Sequence, residues 1–483
     1  MLFNIDYCYG RLLSVSSFLS HSHLMDISEE LHVRATEQAP TTEPKIEVGP
    51  DGQPLYPLYE EGHDQSPLEE HIEEEEQVDK FSEPGRVRRL ATIMNLLNSL
   101  LGAGILGVPG SMKYIGMIPS VIVLFIIAFL SHIATVLTIK LQRRVNATGF
   151  DDMAFRVLGK WGSNALSIMV MLFCISCDTA YLIIGSDSIM SFMRFAGINI
   201  SKGFARGVLV FFFWLCFPGA MTFPRDISFL KYFSFANFAC ISFFVLSMII
   251  KGYSVFTTTG VAKDVVYSTF GVGVFSAISI YGLAFALPVV VLPIIEPYNK
   301  DLKKRTTVSA VATTLCFLLV AIPGVLGYMI LGGKAKDNVL LAFPDNDGLI
   351  LAVRACFLVV VSASFPCVTQ SLSASWSQII YGINVPKELP TMKRVLVLAV
   401  SNGIPLFLAL FIPNAGPALS IGGAFGGCLA DFFFPPIIWF LISKKPWSHW
   451  QNLLCLLFMT FGVVACVVST YLAVVDAIKA FSQ

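Results

Sequence analysis

The chain has 483 residues, 55% hydrophobic and only 14% charged, with 40 phenylalanines and a net charge of zero. Exposed to water, that composition would not stay soluble, and a balanced charge gives no pointer to nucleic acid. The charged residues cluster between long apolar runs, the pattern of an all-α polytopic membrane protein.

Residues 1–88 are polar, with prolines at Pro40, Pro44, Pro50, Pro54, Pro57 and Pro67 and four glutamates at 73–76. This stretch cannot bury a core and reads as a disordered acidic cytosolic tail. Its first residues are mildly apolar but lack a small-residue cleavage site, so they are not read as a signal peptide. Met25 opens a more ordinary acidic tail and is an alternative start. The transmembrane domain is read as 89–483.

About eleven apolar segments follow, near 90–113, 117–141, 162–192, 205–222, 229–252, 269–295, 304–332, 347–372, 392–412, 416–443 and 450–477. Most exceed twenty residues, enough to span with tilt. Lys140, Arg143, Arg144, Lys303, Lys304, Arg305, Lys444 and Lys445 fall in even-numbered connections, which predicts a cytosolic N-terminus. The sequon Asn199-Ile200-Ser201 then faces outward. Cys174 and Cys177 have CxxC spacing inside an apolar helix with no second pair, and read as packing residues rather than a metal or redox pair. No disulfide framework is expected.

Two segments are unusual. The first contains NLLNSLLGAGILGVPGSMKYIG from Asn95, with four glycines, Pro109, Asn95, Asn98 and Ser99. A lipid-facing helix gains nothing from those residues. A helix that opens in mid-membrane uses them, because freed backbone groups must line a cavity or meet a ligand. The N-terminus of its second half would offer N–H groups and a positive dipole end to a carboxylate, placing Gly102, Ala103 and Gly104 at an anion site. The alternative is a glycine-packed helix interface. The sixth segment, GVGVFSAISIYGLAFALPVVVLPIIEPYNK from Gly271, carries Pro288 near its middle. Pro288 has no N–H, so a carbonyl about one turn earlier, near Ala284, loses its helical partner. Two interrupted segments five apart point to a central site in an inverted-repeat transporter.

NSLLGAGILGVPGSMKYIG resembles the first-helix signature of the amino acid/auxin permease family, nearest its sodium-coupled neutral and vacuolar amino acid transporter branches. The similarity extends over most of the chain after residue 88. In the sixth segment Ala284-Phe285 and Leu292-Pro293-Ile294 follow the family pattern, but Leu287, Pro288 and Val289 stand where the family usually has a Gly or Cys and then a polar residue. The resemblance implies a five-plus-five inverted repeat with helices 1 and 6 interrupted, plus an eleventh helix. It also implies secondary active transport of a small, neutral amino acid, driven by a Na⁺ or H⁺ gradient across the plasma membrane or a vacuolar or lysosomal membrane. No cofactor is expected, and the partners are the substrate and the lipid bilayer.

The substrate carboxylate is then assigned to Gly102, Ala103 and Gly104, and its ammonium to carbonyls at Ala284, Phe285 and Ala286. Tyr181, in the family-like stretch AYLIIGSD, is a pocket wall or an ordinary packed tyrosine. Two coupling ions stay open. Asn98 corresponds by motif to an asparagine that sodium-coupled relatives use. Ser364-Phe365-Pro366, about ten residues after Arg354, resembles the family's Arg…Thr-x-Pro, so Asn98 and Ser364 are the Na⁺ candidates. The family's second proline motif is replaced by Thr369 and Gln370. Asp178, near the middle of the third segment, is the proton candidate, with Asp431 a second intramembrane carboxylate. Enzyme readings fail: neither Tyr-Asp nor Gly-x-Gly-Asp surrounds these aspartates, and no Gly-x-Ser-x-Gly is present. No repeated filter sequence suggests a channel. A membrane amino acid sensor with little bulk flux is the remaining alternative.

Overall fold

The computed structural model describes residues 87–147, 149–198, 203–225, 231–381 and 389–481, without the side chains of 231–234, 480 and 481. The acidic tail before residue 87, Met25 and the sequon at 199–201 lie outside the described residues. Those residues contain no strand. Their helices are α1 (Arg89–Leu100), α2 (Gly104–Ser111), α3 (Met117–Val145), α4 (Phe150–Phe195), α5 (Phe204–Cys216), α6 (Lys231–Thr258), α7 (Val274–Ala284), α8 (Pro288–Ile295), α9 (Leu302–Leu331), α10 (Gly348–Tyr381), α11 (Thr391–Phe411), α12 (Ala415–Gly422), α13 (Asp431–Ile442) and α14 (Trp450–Phe481). Among the described residues ten helical spans are long and apolar enough to cross a membrane, or eleven when α1 and α2, bent by 57° at their break, are counted as one span.

The outer faces identify the solvent. Ile118, Ile122, Phe125 and Phe129 lie exposed at helical spacing on α3, as do Val467, Tyr471, Val474 and Ile478 on α14. In water such stripes would be buried. Here they are the exterior, which hydrocarbon satisfies. The span Val274–Ile295 is the most enclosed of the ten single spans and Phe204–Thr222 the least. α7 and α8 therefore form the axis of the bundle.

Local signals set the helix ends. Asp301 caps α9, its carboxylate accepting from the Lys303 N–H at 2.8 Å. Asn146 closes α3 with a left-handed φ of 53°. α4 starts earlier than the apolar pattern suggests. Its first turns, amphipathic and carrying Asp151 and Asp152, meet the membrane span at a non-helical Gly159.

The tenth span changes type within the bundle. α12 gives way to a π-helix over Gly423–Ala430, and α13 resumes at Asp431. Its glycines are required by close approach: a Cβ on Gly423 would overlap the Ser279 carbonyl, and one on Gly427 the backbone of Gly282. This span is thus pressed backbone to backbone against α7.

At one end of the bundle, the connection between α9 and α10 straps several spans together. Asp345 accepts from Arg194 of α4 at 2.7 Å and from Arg354 of α10 at 2.7 Å. Arg354 is almost fully buried, and also donates to the Leu340 and Phe343 carbonyls at 2.7 and 3.0 Å. Asp347 pairs with Lys251 of α6, and Asp337 with Lys113 beyond α2. Partial burial raises the Asp345 carboxyl, but Arg194 and Arg354 outweigh it and hold the group below the usual carboxylate range.

Candidate functional site

α1 stops at Leu100 and α2 begins at Gly104. The Gly102 N–H turns back to the Leu100 carbonyl at 3.1 Å, and the Leu106 N–H to Ala103 at 3.1 Å. The first N–H groups of α2 have no preceding helical carbonyl, which leaves donors at Gly104 and its neighbours. Nothing acidic stands in the first turn of α2 to occupy them.

The matching gap lies between α7 and α8. A Cβ built on Gly104 would sit 3.5 Å from the Ala284 nitrogen and 3.6 Å from its Cα, so the two gaps face each other. Tyr181 closes a third side. Its hydroxyl would lie 2.9 Å from a Cβ on Gly102, which places the phenol against the α1–α2 gap. Of the seven expected substrate residues, Gly102, Gly104, Tyr181 and Ala284 are thereby brought together. Ala103, Phe285 and Ala286 are buried in the same two gaps.

The carbonyls of the second gap are unequal. The Phe285 carbonyl accepts from the Ser131 hydroxyl of α3 at 2.5 Å and from the Leu287 N–H at 2.6 Å. Two donors fill its two lone pairs. The Ala284 carbonyl has no N–H at position 288, because that residue is proline, and receives only the Cys316 thiol at 3.7 Å. A thiol is a weak donor. Ala284, rather than Phe285, is the carbonyl with acceptor capacity to spare.

The ion candidates occupy three places. Asp178 is fully buried one turn before Tyr181. The Thr369 hydroxyl of α10 donates to its Oδ2 at 2.8 Å, while Oδ1 has no hydrogen-bond partner. The sequence marks Thr369 only as a departure from the family's proline motif, and its pairing with a residue 191 positions away has no local signature. Asn98 on α1 and Ser364 on α10 are each half-buried, and the structure does not pair them with one another. Asp431 begins α13 directly after the π-helix, beside the Val289 N–H in the first turn of α8, with neither oxygen in a hydrogen bond of ordinary geometry. The π-helix itself escapes sequence reasoning, although GGAFGGC was the available sign. Such segments recur at functional sites. Among the described residues no group of three His, Cys, Asp or Glu side chains could hold a metal ion.

A cavity of about 290 Å³ lies along the far end of α2, lined by Lys113, Tyr114, Ile280, Asp337, Ser420 and Asp476. Ile280 and Asp337 also flank Gly107 of α2, so the cavity adjoins the half-helix whose N-terminus faces Ala284.

Two helix breaks, at α1–α2 and α7–α8, approach each other inside a multi-pass helical membrane protein. The family model described as transmembrane amino acid transporter protein matches residues 88–475, and the chain belongs to that family, one of transporters rather than enzymes. It is 25% identical over 391 residues to the putative sodium-coupled neutral amino acid transporter 10 of Xenopus laevis, covering 78% of this chain and 36% of that protein. It is 22% identical over 398 residues to the putative sodium-coupled neutral amino acid transporter 11 of Bos taurus, covering 80% and 83%. Vacuolar amino acid transporter 2 of Saccharomyces cerevisiae is 22% identical over 407 residues, again covering 80% and 83%. The chain thus spans about a third of the length of the first of these relatives and most of the other two.

Proposed function

We propose that this chain is a secondary active transporter of small neutral amino acids, coupled to Na⁺ or H⁺, working by alternating access around the interrupted first and sixth spans. The observation that carries this reading is the approach of Gly104 to the Ala284 backbone, which brings the first turn of α2 against the end of α7. A zwitterion needs that pair: donors and a positive dipole end for its carboxylate, an acceptor for its ammonium. In this reading α1 to α6 form the first half of a five-plus-five inverted repeat, α7 to α13 the second, and α14 is additional. The N-terminus is cytosolic, and the membrane is the plasma membrane or that of a vacuole or lysosome.

Substrate binds with its carboxylate on the first turn of α2 and its ammonium on the Ala284 carbonyl. Tyr181 covers it from α4. The side chain points to spans 3, 6 and 8, where Leu287, Pro288 and Val289 stand in place of the family's Gly or Cys and polar residue and favour an apolar substrate. Coupling falls to one of two sets: Asn98 with Ser364 as oxygen ligands for Na⁺, or Asp178 with Thr369 as a proton-carrying pair.

The test is radiolabelled uptake into proteoliposomes, screening amino acids under an inward Na⁺ gradient, a proton gradient and neither. Uptake that requires Na⁺ and fails in Asn98→Ala and Ser364→Ala selects sodium. Uptake that follows the proton gradient and fails in Asp178→Asn selects the proton. No flux of any amino acid in folded protein overturns transport and leaves an amino acid sensor.

A further inference from the structure

A second cavity, of about 220 Å³, lies on the flank of the bundle between α3, α13 and α14, away from the facing gaps. Its walls include Ile133, Leu137, Pro436, Leu454 and Phe458, and the one charged group lining it is Lys140. At its mouth the Arg144 guanidinium lies 5.4 Å from the centroid of the Trp439 ring, a cation–π contact that holds the cation there. Lys140 and Arg144 are both exposed, and neither has an ion pair among the described residues. Lys445, on the adjoining α13–α14 connection, is turned toward the same edge by Gln451, whose Oε1 accepts from its Nζ at 3.0 Å. Trp447 and Trp450 stand exposed beside it, as tryptophans do at headgroup depth.

We propose that this groove binds an anionic phospholipid, its acyl chain lying between α3, α13 and α14 and its phosphate held by Lys140 and Arg144. The two halves of the site match the two halves of such a lipid. The groove wall is apolar and opens onto the hydrocarbon-facing surface. The mouth carries positive charge that no carboxylate of the lining neutralises. A zwitterionic lipid would fill the same slot but bring no net negative charge to Lys140 and Arg144, so the charge selects an acidic headgroup. The lipid would touch α13, which continues directly from the π-helix packed on α7, and so would bear on the central spans.

The full-length chain is purified, and lipid retention is read by native mass spectrometry with phosphatidylserine and phosphatidylcholine of identical acyl chains. Phosphatidylserine is expected to be retained preferentially. That preference should fall about fivefold for each cation removed in Lys140→Gln and Arg144→Gln. The pair Lys303→Gln and Lys304→Gln, an equal charge change at the α9 end, should leave it intact. Leu454→Trp, at an exposed groove position, should lower retention of both lipids. Glycerophosphoserine, a headgroup without chains, should not be retained. Equal retention of the two lipids, an equal effect of the Lys303/Lys304 pair, or a chain dimer that excludes lipid from the groove overturns the proposal. Unchanged melting temperature in the variants excludes unfolding as the cause of any loss.

Discussion

The two gaps in the bundle differ in how they free the backbone. The α1–α2 gap is made of small residues, and its close neighbours are a tyrosine hydroxyl at Gly102 and backbone at Gly104. The α7–α8 gap is made of Phe285, Ala286 and Leu287, and is kept open by one missing N–H at Pro288. One gap exists because its residues carry almost no side chain of their own. The other is open because one hydrogen bond cannot form, while its neighbouring carbonyl at Phe285 is fully occupied by Ser131 and Leu287. Space and hydrogen-bond inventory are thus separate ways to hold a helix apart in a medium that supplies no water.

The largest effect should come from removing the second device. Pro288→Ala supplies an N–H that can bond the Ala284 carbonyl. Uptake should fall between ten- and a hundredfold, the worth of a hydrogen bond to a charged group, while the melting temperature holds or rises. Equal losses of both would break the contrast.

Asp345→Asn should do the opposite. It leaves the buried Arg354 without its carboxylate and should cost about 2 kcal/mol of stability, with little change in the KM for uptake. The pH dependence has a definite sign. A carboxyl held below its unfolded value of about 3.9 gives its full stabilisation above that pH and loses it as pH falls through the folded value. Acidification below about pH 4 should therefore lower the melting temperature more in the parent than in Asp345→Asn.

At the first gap, Gly102→Ala should lower uptake about tenfold by forcing a methyl against the Tyr181 hydroxyl, and adding Tyr181→Phe should recover much of it. The smallest change is expected for Ser131→Ala. It removes one of two donors to the Phe285 carbonyl and should cost about 1 kcal/mol by thermal unfolding, with transport retained.

The spans were legible in the sequence because each needs about twenty apolar residues and little else. Family membership was legible from the glycine-rich first segment. The loss of a partner at Ala284 follows from Pro288 alone, as it is a local covalent fact. The rest depends on residues distant in the chain. Nothing near Phe285 announces that Ser131 will fill its lone pair. Nothing near Thr369 announces Asp178. The early start of α4 was missed because its first turns are amphipathic rather than apolar, and the bend at Gly159 separates them from the span. The π-helix was missed because apolar periodicity does not distinguish it from an α-helix when every face is buried.

That π-helix has a consequence for how the tenth span tolerates change in length. Deleting one residue from an α-helix turns everything beyond it by about 100°. A π turn carries surplus chain, since its hydrogen bonds reach five residues back instead of four. Removing one residue between Gly423 and Ala430 would let a wide turn tighten to an ordinary one, with Asp431 and the face of α13 keeping their bearings. The same deletion in α12 or α13 has no such slack. Within the membrane, where insertions and deletions are normally ruinous, this stretch is an expansion joint.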